Sequence, residues 1–119
     1  MRIYIAGPYS APPLAGRAHN IEVAIAAGVA IIQAGHTLFI PQLSHYVHEF
    51  ALTEDQETPY QKWLALDMEW LRLCDAILML GKSPGANLEL DAAKRIGLKI
   101  FWRWDDIPHV CDGSCHDRP

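Results

Sequence analysis

Short β-branched runs that end at glycine or proline, spaced by helix-length stretches, restrict this chain more than any other feature. Arg2–Ala6 (RIYIA) runs into Gly7-Pro8, Thr37–Ile40 (TLFI) ends at Pro41, and Asp75–Leu80 (DAILML) ends at Gly81. Leu98–Trp102 closes the series. Runs of this kind bounded by turn residues read as strands. Between the first two, Ile21, Ala24, Ile25, Gly28, Val29 and Ile32 recur at helical spacing, which predicts a helix over about Arg17–Ala34. Gly35 stops it, because glycine accepts the left-handed backbone that ends a helix. Thr58-Pro59-Tyr60-Gln61 is a capping signal for a second helix reaching about Leu73. A third spans about Ala86–Ile96 and stops at Gly97. Residues 42–57 fit either a short helix or a polar loop. The order β-α-β-α-β-α-β predicts an α/β three-layer sandwich, with helices on both faces of a parallel sheet of about four or five strands. Ligands of such sheets bind beyond the C-terminal strand ends. Three loops meet there: Gly7–Gly16, Pro41–His48 and Gly81–Gly85.

The 119 residues amount to one domain, expected over residues 1–104, followed by a polar tail over 105–119. Ten Lys+Arg against fourteen Asp+Glu give a formal charge of −4, which argues against a general grip on a nucleic acid polymer. A small phosphorylated ligand needs only a local site and stays compatible. The longest apolar run, Val23–Ile32, has ten residues; spanning a membrane takes roughly 20. Three cysteines, two of them in the tail, do not make a disulfide framework. A cytoplasmic protein is expected.

Chemistry concentrates in Ser83-Pro84-Gly85-Ala86-Asn87-Leu88-Glu89, where a strand ends, a small-residue loop turns and a helix begins. Ser83 can cap, Pro84 suits the first helical position, and the free N–H groups suit an anion. The helix field is expected to keep Glu89 ionised, as a nucleophile needs; the same residue could equally serve only the dipole. Asp67 shares a helix face with Trp63, Leu64, Trp70 and Leu71. Desolvation there would raise its pKa, unless it is solvated beside Glu69. Asp75, at a strand entry, suits a structural pairing. One ionised and one protonatable carboxylate is the pairing that cleaves glycosidic bonds through a covalent intermediate.

Ile3-Tyr4-Ile5-Ala6-Gly7-Pro8-Tyr9, Leu66-Asp67-Met68-Glu69-Trp70-Leu71 with Cys74-Asp75, and Ser83-Pro84-Gly85-Ala86-Asn87-Leu88-Glu89-Leu90 with Ala93 and Gly97 together resemble the nucleoside 2-deoxyribosyltransferase superfamily. The likeness extends to the 2′-deoxynucleoside 5′-monophosphate N-glycosidases and covers about residues 2–102. It implies a flavodoxin-like (Rossmann-like) fold that cuts or exchanges the N-glycosidic bond of a nucleoside or nucleoside 5′-monophosphate. The resemblance gives Glu89 the role of nucleophile, places Asp67 near the scissile bond, and makes Tyr4 the support of the nucleophile. It gives Gly7, Ser83 and Gly85, with Ser10 and Arg17, to the substrate's phosphate. It implies a homo-oligomer and no metal or organic cofactor.

Tyr9 can stack on a base or be an ordinary loop tyrosine. Asn87 lies in the same helix start as Glu89 and is a further substrate-binding candidate. His45 and His48 fall near the rim and can touch a ligand or face water. The tail carries His109, Cys111, Cys115 and His116, four potential ligands whose spacing is not that of a standard finger, so no metal site is expected. A non-catalytic nucleotide-binding module of the same fold is the alternative function.

Overall fold

The computed structural model describes residues 1–8, 14–44, 47 and 60–110, with the backbone alone for 14–18 and 60. Its elements are β1 (Arg2–Ala6), α1 (Leu14–Gln33), β2 (Thr37–Phe39), α2 (Tyr60–Leu71), β3 (Ala76–Met79), α3 (Pro84–Ile96) and β4 (Lys99–Phe101). Single 3₁₀ turns follow β2 (Pro41–Leu43) and β4 (Trp104–Asp106). Among the described residues the sheet has four strands, in the order β2-β1-β3-β4. Every pairing is parallel, with Tyr4 opposite both Phe39 and Ile77. This is the α/β architecture expected, in the strand order of flavodoxin-like folds, where the ligand crevice opens between β1 and β3.

Side chains of a strand alternate between faces, and β1 shows what that accomplishes. Ile3 and Ile5 point into one core layer with Ala24, Ala27 and Ile31 of α1 and Ala76 and Leu78 of β3. Tyr4 and Ala6 point the other way, into a second layer with Leu71 of α2, Ile77 and Met79 of β3, and Ala86, Leu90 and Ala93 of α3. One core is thus sealed by α1 and the other by α2 and α3.

Three strands are shorter by a residue at one or both ends than the sequence reading gives, and two helix starts differ. α1 begins at Leu14, inside the stretch read as a loop; the prolines at 12 and 13 lie just ahead of it, where missing N–H groups cost nothing. α3 begins at Pro84 rather than Ala86, as proline at a first helical position allows. The structure also settles which side of α1 is buried. Ile21, Ala24, Ala27, Ile31 and Ala34 are inside, while Ile25, Val29 and Ile32 are outside. Alanines permit the close approach of helix to sheet, and a chain apolar on both sides does not reveal its inner face by spacing.

The core extends past β4 into the segment read as a polar tail. Ile107 is buried among α1 and β1 residues, and the Val110 N–H donates to the Ala34 carbonyl at 2.8 Å. Buried His36 ties this segment down. A carbonyl can only accept, so His36 Nε2–H donates to Pro108 O at 2.6 Å, and Nδ1 accepts from the Met1 amine at 2.8 Å. Asp75 has the structural role expected, accepting from the Arg2 backbone N–H at 2.8 Å. Among the described residues no helix is long and apolar enough to cross a membrane.

Candidate active site

Glu89 owes its position to a well-defined helix start. Ser83 is extended (φ −158°, ψ 165°), and its Oγ accepts from the Ala86 N–H at 3.0 Å. Pro84 follows as the first helical residue, which makes Glu89 the sixth. At the far end Gly97 takes the left-handed conformation (φ 81°), and Lys94 and Arg95 lie in the last turn. Glu89 is only 8% exposed, and it lies on the helix face that carries Ala86, Leu90 and Ala93 against the sheet.

Across from it, Tyr4 is fully buried on β1. Its ring packs on Phe39 (centroids 5.6 Å apart), which stacks on Trp70 of α2 (5.0 Å, 18° between planes). The ladder fixes the Tyr4 ring. Asp67, half-buried one turn before Trp70, faces the same space. The three side chains come from β1, α2 and α3 and converge beneath the two helices, on the face of β1 that the flavodoxin-like crevice uses.

Their electrostatics are dominated by burial. Desolvation pushes Glu89 from 4.5 up to about 7, with the charge of Asp67 adding to the rise and the Tyr4 hydroxyl opposing it. Desolvation alone lifts Asp67 from 3.8 to about 6. Tyr4 is raised well above its ordinary value by burial first and by the Glu89 and Asp67 charges next, so it stays a neutral donor. The Tyr4 hydroxyl and Glu89 Oε2 are sealed from solvent, and neither completes a hydrogen bond among the described residues. They are nonetheless close enough for the hydroxyl to favour the ionised carboxylate. This corrects the expectation that the helix field keeps Glu89 ionised. Helix-end fields fade within the first turn; Glu89 lies beyond it and is buried, so desolvation wins. Asp67 takes the desolvated alternative rather than the solvated one.

At the rim, the loops after β1 and β3 lock together. A Cβ on Gly7 would lie 3.1 Å from Leu80 Cβ, and one on Gly81 would lie 3.0 Å from Pro8 Cδ. Gly7 therefore serves a close approach of backbones. The same Gly7 Cβ would sit 3.6 Å from Nε2 of Gln42, a residue the sequence reading passed over. Gln42 is 4% exposed, and its Oε1 makes no hydrogen bond among the described residues. It stands in the turn straight after β2, and that position, first past a strand end on the ligand side of a parallel sheet, is the signal that would have found it.

The structure thus brings Tyr4, Asp67 and Glu89 together and sets Gly7 at the rim, with Ser83 and Gly85 at the start of α3. Asn87 is exposed, and two residues before Glu89 it points about 200° round the helix, so it does not share the Glu89 face. Arg17 lies in α1 with its side chain outside the described residues. Tyr9, Ser10, His45, His48, Cys111, Cys115 and His116 also lie outside them; His109 is exposed. Among the described residues no group of three or more His, Cys, Asp or Glu could hold a metal ion.

A solved structure of a 2-deoxyribosyltransferase from the psychrotolerant bacterium Bacillus psychrosaccharolyticus is similar, with a TM-score of 0.63 over 97% of this chain and 96% of that one. The two are 17% identical, so the likeness is one of fold, and it agrees with the resemblance read from the sequence motifs. No curated protein matches. The family model described as "Domain of unknown function (DUF4406)" matches residues 1–102, a span that includes Tyr4, Asp67 and Glu89, and the chain belongs to that family.

Proposed function

We propose that this protein cleaves or exchanges the N-glycosidic bond of a nucleoside or nucleoside 5′-monophosphate, with Glu89 as nucleophile and Asp67 as acid and base. The observation that carries the reading is the buried Glu89–Asp67 pair, placed beside Tyr4 and holding its protons near neutrality. An ionised Glu89 oxygen attacks the anomeric carbon, and the bond from that carbon to the base nitrogen breaks. The electron pair leaves with the base, which takes the Asp67 proton. Asp67, now a carboxylate, removes a proton from water or from a second base as that acceptor attacks the same carbon. The bond to Glu89 breaks, and both carboxyl groups return to their starting states. Water gives hydrolysis and a second base gives transfer.

Tyr4 has a supporting part. Its hydroxyl favours the ionised form of the nucleophile and is itself too hard to ionise to compete for the reaction. Gln42 contributes a carboxamide, donor and acceptor both, which suits the edge of a nucleobase or a sugar hydroxyl. The start of α3 and the joined Gly7 and Gly81 loops supply backbone N–H groups where a 5′-phosphate would lie. Soluble cytoplasmic nucleosides or nucleotides are the expected substrate pool.

Base release, followed by chromatography over a panel of nucleosides and 5′-monophosphates with and without a second free base, tests the reading. Release that disappears in Glu89→Ala supports it, and acceptor dependence separates transfer from hydrolysis. A folded protein that releases and exchanges nothing across the panel, yet is stabilised by a nucleotide, would instead be a binding module.

A further inference from the structure

Helices α2 and α3 lie side by side on one face of the sheet. Each leads into a strand of the same parallel sheet, so the two run in one direction and their C-terminal ends fall together. A cleft of about 650 Å³ lies between them. Leu64, Ala65 and Met68 line it from α2, and Leu88, Ala92 and Ile96 from α3. Asp67 and Glu89 do not line it, so the cleft is distinct from the candidate active site. Leu88 and Ile96 are 46% and 48% exposed, which leaves apolar surface open to water along the α3 wall.

Two arginines stand at the C-terminal end of this cleft, Arg72 just past α2 and Arg95 in the last turn of α3. Both are exposed, and neither guanidinium makes an ion pair among the described residues. A cation in a last turn suits the helix dipole, which accounts for either arginine alone. Two of them on one apolar cleft also make a place for an anion. Glu69, about one turn back on α2, lines the cleft as well, so the lining carries two positive charges and one negative.

We propose that this cleft binds a free fatty carboxylate of medium chain length, with the acyl chain along the groove and the carboxylate between Arg72 and Arg95. The proposal does not depend on the catalytic reading. A lining with one net positive charge suits a monoanion, and a planar guanidinium matches a carboxylate with two parallel hydrogen bonds. From Arg72 back to Leu64 the helix rises about 12 Å, the extended length of an acyl chain of about ten carbons. The volume is that of a small-molecule cleft. A membrane surface would instead call for cations around the whole apolar area; here both stand at one end.

Calorimetric titration of the full chain with decanoate at pH 8 tests this. The expected result is one saturable site with a Kd on the order of 10–100 µM. From hexanoate to decanoate the affinity should rise about two- to fourfold per methylene, then level off once the chain outruns the groove. Decanol and decyltrimethylammonium should bind about tenfold more weakly or worse. Exposed positions allow variants that spare the fold, as unchanged far-ultraviolet circular dichroism would verify. Arg72→Gln and Arg95→Gln should each weaken decanoate binding about fivefold or more. Glu69→Gln, which removes the opposing charge, should tighten it about twofold. Ala65→Phe, which fills the groove, should abolish it. No saturable binding up to millimolar decanoate would overturn the proposal. So would equal affinity for decanol and decanoate, or indifference to Ala65→Phe. A cleft that ignores decanoate but takes an acidic amphipathic helical peptide, or closes on a second copy in sedimentation, would be a protein contact and would overturn it too.

Discussion

The hydroxyl of Tyr4 on β1 and the carboxylate of Glu89 on α3 face one another in a space closed to solvent, and each is shifted by the other's presence. The hydroxyl favours the charged carboxylate; the charge disfavours the phenolate. The tyrosine therefore stays neutral, and its hydroxyl offsets part, but not all, of the desolvation that raises Glu89 to about 7. The predictions below turn on which of these opposing effects a substitution removes.

The first concerns the pH dependence of turnover. Glu89 must be ionised and Asp67 protonated to begin the reaction. With Glu89 at about 7 and Asp67 at about 6, the pair carries a single proton mainly between those values. The expected kcat/KM profile is a narrow bell with its maximum between about pH 6 and 7. Because Glu89 is the weaker acid, the pair's single proton sits mostly on Glu89 and the productive form is the minor one. Tyr4→Phe, which raises Glu89 further, should lower the maximum and move the basic limb to higher pH. A rate that keeps rising well above pH 8 would remove Asp67 from the role of acid.

Stability should respond to the same carboxylate. The folded chain holds the Glu89 proton up to about 7, whereas an unfolded chain releases it near 4.5. Between those values the native state binds more protons, so stability falls as pH rises and then levels off. The shift corresponds to a cost on the order of 3 kcal/mol above neutrality. Glu89→Gln cannot ionise. It should unfold at a higher temperature than wild type at pH 8, show little difference at pH 4, and be inactive. Equal melting temperatures at both values would mean that Glu89 is not buried in the charged state.

Gln42 should matter to substrate more than to folding. Its Oε1 has no partner to lose among the described residues, so Gln42→Leu should leave the melting temperature within a few degrees of wild type. Loss of a carboxamide that holds the substrate should raise KM or change the order of preference among bases. Unchanged kinetics across the panel would place Gln42 in the scaffold only.

His36 is a folding device remote from the chemistry. His36→Phe fills similar space but removes the donor to the Pro108 carbonyl, a loss of about 0.5–1.5 kcal/mol. The loss should be read in urea midpoints, with kcat unchanged.

The strands and α3 were legible in the sequence because their signals are local: β-branched runs closed by glycine or proline, a Ser-Pro helix start, and Gly97 at the end. Asp67 and Glu89 were legible as candidates for the same reason. What Glu89 experiences was not, because its burial is made by β1 and α2, far away in sequence. Gln42 was missed because residues 42–57 carry no periodicity, and its seclusion comes from the approach of Gly7. The inner face of α1 was not legible, because both of its faces are apolar. Only the close fit of alanines to the sheet decides between them.

The alternation along β1 also governs how this protein can vary. Ile3 and Ile5 face one core and Tyr4 faces the other, with the site. A one-residue insertion or deletion within β1 would exchange the two sets, sending the tyrosine hydroxyl against α1 and an isoleucine toward Glu89. Scaffold and chemistry are thereby written on one strand in interleaved positions. Length changes in this strand are closed to evolution and to engineering alike, and diversification must enter through substitutions or through the loops that follow the strand ends.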